Sequence, residues 1–147
     1  MMQVETSYLG TVKSSEDDIL LFAGGLPGFL EEKEFVLLPF EQSHFFLLQS
    51  VHSKHLAFIC ADPFVFWDDY EVKLDDASVE QLAVQEEEEV AIFVILTIEQ
   101  PFSATTANLR APIIINSKNK RAKQVMLDAY KFSPKTALSK AASKERC

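Results

Sequence analysis

The feature that most constrains the fold is a succession of short apolar runs separated by polar breaks. They are FVLLPF (35–40), FFLLQSV (45–51), LAFICA (56–61), VAIFVILTI (90–98) and APIIIN (111–116). Val, Ile and Phe dominate them, and each is bounded by turn-forming or charged residues, so each reads as a strand. Most are apolar at consecutive rather than alternate positions, which implies burial on both faces. Such a sheet must be covered on each side or closed on itself. The expected fold is therefore all-β, a single-domain barrel-like or sandwich arrangement.

Further elements fit around these runs. Val4, Thr6 and Tyr8 alternate with Glu5 and Ser7, the period of a half-buried strand over 4–8, and DILLF (18–22) adds a short one. Leu26-Pro27-Gly28-Phe29 suits a type II turn, with proline presetting its second position and glycine supplying the positive φ of its third. QVML (124–127) forms a late hairpin with 111–116 across the polar loop SKNKRAK. DDASVEQLA (75–83) is the one expected helix, opened by Asp caps and carrying Val79 and Leu82 on one stripe. No internal repeat is present. The β domain is expected over residues 1–130, and 131–147, rich in small and basic residues, as a peripheral or flexible tail.

A chain of 147 residues suits one domain, and 12 Phe against a single Trp point to a core built on aromatics. The net charge of −8 is uneven: residues 1–116 carry −15 and residues 117–147 carry +7. An acidic body repels nucleic acid and anionic membrane and attracts basic protein surfaces. The lysines of the tail have no aromatic platform beside them, so no direct nucleic-acid contact is expected. The longest apolar run, Val90 to Leu96, is far short of the ~18 residues that cross a bilayer. The first residues show neither a positive nor an apolar signal region, and two cysteines, Cys60 and Cys147, make no disulfide framework. The expected setting is the cytoplasm, without membrane contact.

Catalytic patterns are weak. His44, His52 and His55 fall in separate turn regions rather than at zinc-ligand spacing, so no metal or other cofactor is expected. Counting a calcium loop from Asp68 puts Lys73 and Val79 where a glycine and a bidentate glutamate are required. No nucleophile signature surrounds Ser50 or Cys60, and GGLPG has neither dinucleotide nor phosphate-loop spacing. EEEE (86–89) acts as a charged guard beside the most apolar strand. The chain is expected to be no enzyme; a small β-barrel enzyme or ligand binder, using acids or histidines at a barrel mouth, is the alternative.

One stretch combines features a mere core strand would not need. DPFVFWDDYEV (62–72) sets four large aromatics among four acids. Phe64 and Phe66, two apart on a strand, would both point inward, and a turn at 67–70 would follow. In a purely structural reading Trp67 and Tyr70 fold over the core edge. In the functional reading they supply hot-spot area while the acids around them steer a basic partner.

Several of these segments occur together elsewhere. GLPGF (25–29), FVLLPF, LQSV (48–51), LAFICADPFVFWDDYEV (56–72), TANLRAPIIIN (106–116) and KQVML (123–127), in this order and spacing, resemble the flagellar assembly factor FliW family over residues 1 to about 130. The resemblance implies a small cytoplasmic β-barrel-like protein without catalytic activity. It implies binding to the carbon storage regulator CsrA, a dimeric RNA-binding repressor of flagellin translation, and to the C-terminal region of flagellin, which competes for the same protein. The expected contact patch is Trp67, Asp68, Asp69, Tyr70 and Glu71, with the Pro27 turn as neighbour.

Overall fold

The computed structural model describes residues 2–127 and 132–138. Strands β1 (Met2–Glu5) and β2 (Thr11–Ser14) form an antiparallel hairpin. Its loop is fastened by the Thr6 hydroxyl, which donates to the Gly10 carbonyl at 2.6 Å and accepts the Leu9 N–H at 2.8 Å. That turn ends the strand expected over 4–8 at Glu5, and β2 returns where the sequence showed no alternation. Gln49, fully buried, ties the hairpin down by accepting the Ser7 N–H at 3.0 Å.

The chain continues through β3 (Leu20–Leu21), β4 (Glu34–Pro39), β5 (Phe45–Ser50), β6 (Ala57–Ala61), α1 (Pro63–Phe66) and α2 (Asp76–Gln81). It then forms β7 (Val90–Thr97), β8 (Thr106–Ala107), β9 (Ile113–Asn116), β10 (Ala122–Gln124) and β11 (Thr136–Ala137). Seven strands lie side by side in the order β10-β9-β7-β6-β5-β4-β3, each neighbouring pair antiparallel. The two ends then meet. Leu21 and Arg121 form a parallel bridge, and the Leu21 N–H donates to the Lys120 carbonyl at 2.8 Å. The sheet is a closed barrel, which removes its free edges there.

Closure divides the apolar residues between two cores. Inside the barrel lie Leu20, Phe22, Phe35, Leu48, Cys60, Ile113 and Ile115. The rings meet edge to face, Phe22 on Phe35 at 5.3 Å and Phe46 on Phe93 at 5.0 Å, the arrangement their quadrupoles favour. Outside it, Ala61, Val94, Leu96 and Ile114 form a second face, covered by Tyr70, Leu82, Leu109 and Leu138. β7 supplies both layers by its period of two: Phe93 and Ile95 go in, Val94 and Leu96 go out. This is why its run is apolar without interruption.

The turn at 26–29 forms as its residues dictate. The Phe29 N–H reaches the Leu26 carbonyl at 2.7 Å, Gly28 takes φ +85°, and Leu26 plugs the barrel. Helix α2 forms within the expected 75–83 segment, and the Asp75 carboxylate accepts the Ser78 N–H at 2.9 Å. That hydrogen bonding to Ser78 holds the Asp75 carboxyl below its usual pKa. The late hairpin forms too, but β10 begins at Ala122, ahead of the expected 124–127. A tight turn explains the shift: the Lys120 N–H returns to the Asn116 carbonyl at 2.8 Å. A single helix was expected, whereas α1 makes two.

At the C-terminal side, β11 pairs with β8, and Leu138 is 2% exposed in the outer layer. The packed chain thus continues past the boundary expected at 130. Residues 139–147 of the expected tail lie outside the described residues. Among the described residues no helix is long and apolar enough to cross a membrane.

Because Phe35 is fully buried and touches two other rings, truncation leaves a cavity that the closed barrel cannot collapse. Phe35→Ala is expected to lower the unfolding free energy by about 3–5 kcal/mol. Met126→Ala, at a largely exposed position, should change it by less than about 0.5 kcal/mol. Urea melts of the two variants check both.

Candidate functional site

The segment 62–72 opens with a helix start rather than a strand. The Asp62 side chain accepts the Phe64 N–H at 2.9 Å, Pro63 occupies the first helical position, and the Trp67 N–H donates back to the Pro63 carbonyl at 2.8 Å. An acceptor side chain followed by proline is a strong helix-initiating pair. It overrides the strand expected here. Residues two apart on a helical turn diverge by about 200°, so Phe64 and Phe66 do not share an inward face. Phe64 is 44% exposed, while Phe66 is half-buried between Phe45 and Trp67, each at 5.8 Å.

The residues expected at the contact patch separate into three roles. Asp68, Asp69 and Glu71 are exposed, and the Tyr70 N–H bonded to the Trp67 carbonyl at 3.2 Å closes the turn that carries the two aspartates. Trp67 is half-buried and packs on the outer core. Tyr70 is only 3% exposed: its hydroxyl donates to the Leu109 carbonyl at 2.7 Å, and its ring lies 4.7 Å from that of Phe132. Burial pushes its phenol above the usual pKa. Tyr70 therefore anchors the loop and leaves little surface for a partner. Pro27 is exposed at the tip of its turn, grouped with Gln81 and Arg121 along a separate groove rather than with Trp67.

Folding brings in rings that the stretch itself did not announce. His44 stands 6.3 Å from Phe66, Phe66 stacks on Phe45 at 5.8 Å, and Phe45 meets Phe102 at 6.3 Å. Phe102 is 52% exposed, and Ile98, at the end of β7, is exposed as well. The segments bearing these rings also carry Glu41 and Glu99, both exposed. The only advance signal for Phe102 was its place beside Pro101, just after an apolar strand, which marks a loop and nothing more. The assembled surface offers aromatic area with carboxylates on the chain around it. Such a surface can desolvate against an apolar anchor while its acids meet cations.

Other chemistry is differently placed. Cys60 points into the barrel, where burial pushes its thiol up to about 12, a poor nucleophile at neutral pH. His52 pairs with Glu34, and His44 stands against Phe66. Among the described residues no three His, Cys, Asp or Glu side chains converge as a metal site. One end of the barrel has an opening of about 370 Å³ lined by Leu37, Phe93 and Ile115, with Lys13, Asp18 and Lys120 at its rim. Neither His52 nor His55 lines it.

A family model described as FliW protein matches residues 3–138. The chain is 59% identical over 138 residues to the flagellar assembly factor FliW of Shouchella clausii (strain KSM-K16), covering 93% of this chain and 94% of that protein. It is 47% identical over 137 residues to the flagellar assembly factor FliW of Geobacillus kaustophilus (strain HTA426), covering 93% and 95%. A crystal structure of the flagellar assembly factor FliW superposes with a TM-score of 0.89 at 45% identity, covering 93% of this chain and 96% of the other.

The two kinds of aromatic in this region should respond differently to substitution. Tyr70→Phe strands the buried Leu109 carbonyl and should cost about 1–2 kcal/mol in a chemical melt. Phe102→Ala, at the surface, should cost less than about 1 kcal/mol by the same measurement.

Proposed function

The chain belongs to the FliW family of flagellar assembly factors, and from that premise we propose that it works by adhesion. It binds the translational regulator CsrA and thereby lifts repression of flagellin message, and it binds the C-terminal region of flagellin in a partner switch. Accumulating flagellin withdraws the protein from CsrA; export of flagellin returns it.

The observation that carries this reading is the aromatic surface around α1 with Asp68, Asp69 and Glu71 beside it. A regulator that binds RNA presents cations to phosphate, and the same cations suit a carboxylate-rimmed contact. Screening sets the range: at cellular ionic strength the Debye length is about 8 Å, so the acids act at or beside the contact. Once docked, a body carrying −15 over residues 1–116 repels phosphate locally. Loss of RNA follows either from that repulsion beside the RNA site or from a change of shape in the regulator; in both, the two ligands of the regulator are negatively coupled.

Adding the purified protein to a CsrA complex with labelled RNA should release the RNA, and flagellin present in excess should suppress the release. Asp68→Lys combined with Asp69→Lys should raise the dissociation constant for CsrA about tenfold or more, with the thermal melt nearly unchanged because both side chains are exposed. Unaltered affinity for both partners in calorimetry would refute the patch assignment.

A further inference from the structure

The barrel is closed by a single parallel bridge, and past it the two edges separate. β3 ends at Leu21: Phe22 still meets the β4 side in the same register, its N–H donating to the Lys33 carbonyl at 2.7 Å, and the chain then turns, the Gly25 N–H donating to the Phe22 carbonyl at 2.8 Å. β10 continues to Gln124. On its β9 side the Arg121 carbonyl accepts the Asn116 N–H at 2.8 Å and the Val125 N–H donates to the Pro112 carbonyl at 3.0 Å. Backbone groups alternate sides along an antiparallel ladder, so those of Gln124 face the opened seam. A groove of about 710 Å³ occupies it, with Gly25, Pro27 and Leu30 from the turn segment, Gln81 from α2, Lys123 from β10 and Arg121 just before β10.

The charge of this groove is opposite to that of the body. No acid lines it, and its ionisable lining groups are Arg121 and Lys123. Both donate to Gln81, Arg121 to its carbonyl and Lys123 to its amide oxygen; Lys123 also reaches the Ser78 hydroxyl at 3.4 Å and acts on the nearby Asp75 carboxylate, but neither cation forms an ion pair among the described residues. Leu30, 65% exposed, and the exposed Leu21 add apolar surface. The turn segment cannot grow a side chain at its nearest point: Gly25 sits at φ +68°, and a Cβ there would come within 2.4 Å of the Leu30 carbonyl oxygen.

We propose that this seam is a second docking site, which takes an extended segment of a partner protein carrying carboxylates next to apolar side chains. The segment adds as a strand along β10, its backbone meeting that of Gln124, its carboxylates meeting Arg121 and Lys123, and an apolar side chain covering Leu30. The site shares no residue with the aromatic surface around α1 and does not rest on the reading given for that surface.

The test uses the full chain and a fluorescein-labelled octapeptide of Val alternating with Asp or Glu, against a control with Lys at the acidic positions. Saturable binding of the acidic peptide by anisotropy is expected, with slowed amide exchange at Gln124. Binding should be about tenfold weaker for the Lys control and for Arg121→Glu combined with Lys123→Glu. Leu30→Glu, at an exposed position, should weaken binding likewise and stands in if the double variant fails to fold. Absence of binding, equal binding of the two peptides, or folded variants with unmoved affinity overturns the proposal. So does a dimer in sedimentation equilibrium that Lys123→Glu dissociates, since the seam would then hold a second copy of the chain.

Discussion

The central strands β6, β7 and β9 carry apolar side chains on both faces, and the rest of the molecule is arranged around the need to cover each of them. Inside, the cover is the sheet itself, closed through Leu21 and Arg121 and filled by Phe22, Phe35, Phe46 and Phe93. Outside, there is no second sheet of comparable size among the described residues. The cover is assembled from loops, from α2 through Leu82, and from short strands whose own patterns are too brief to declare themselves. Aromatic rings suit both tasks, since one ring covers as much area as two small aliphatics at little cost in side-chain entropy.

That outer cover also makes the candidate surface. The loop after α1 must lay Tyr70 onto Leu109 to seal the outer core, and the hydroxyl finds the carbonyl it needs. Fixing Tyr70 inward sets Asp68 and Asp69 outward on the turn just before it. An aromatic stretch with many acids thus answers two demands at once: rings to close a core, and charge to keep the sealing loop soluble and available to cations. Phe102 and Phe45 extend the ring chain from other segments because β5, β7 and the turn at 102–104 end near α1.

The same closure leaves a weak place. A barrel joined by one parallel bridge has a seam, and the cationic Arg121 and Lys123 line it. The molecule therefore separates its charge in space as well as along the chain, with carboxylates at the α1 loop and guanidinium and ammonium groups at the seam. Opposite signs at different surfaces favour partners of different chemistry and discourage either from sliding into the other's place.

Strand positions at β4, β5, β6 and β7, the type II turn at Leu26–Phe29 and the Asp75-capped helix were legible because each rests on local chemistry: apolar runs, a Pro-Gly pair, a side-chain acceptor. The Asp62-Pro63 helix start was legible too, but the spacing of Phe64 and Phe66 masked it. Of the candidate site, the exposure of Asp68, Asp69 and Glu71 was legible, whereas the half-burial of Trp67 on the outer core and the inward place of Tyr70 were not, since the fate of Tyr70 turns on a carbonyl at Leu109, far along the chain. β2, β8 and β11 were invisible for the same reason: strands of two to four residues are stabilised by the edges they meet, not by their own composition. The sequence by itself determined the fold class, the layer-spanning strands and the sign of the charge on each part. Only the tertiary structure decided barrel over sandwich, which rings are buried and which are presented, and where the seam lies. All three depend on contacts between residues distant in the chain, whose pairing no local pattern encodes.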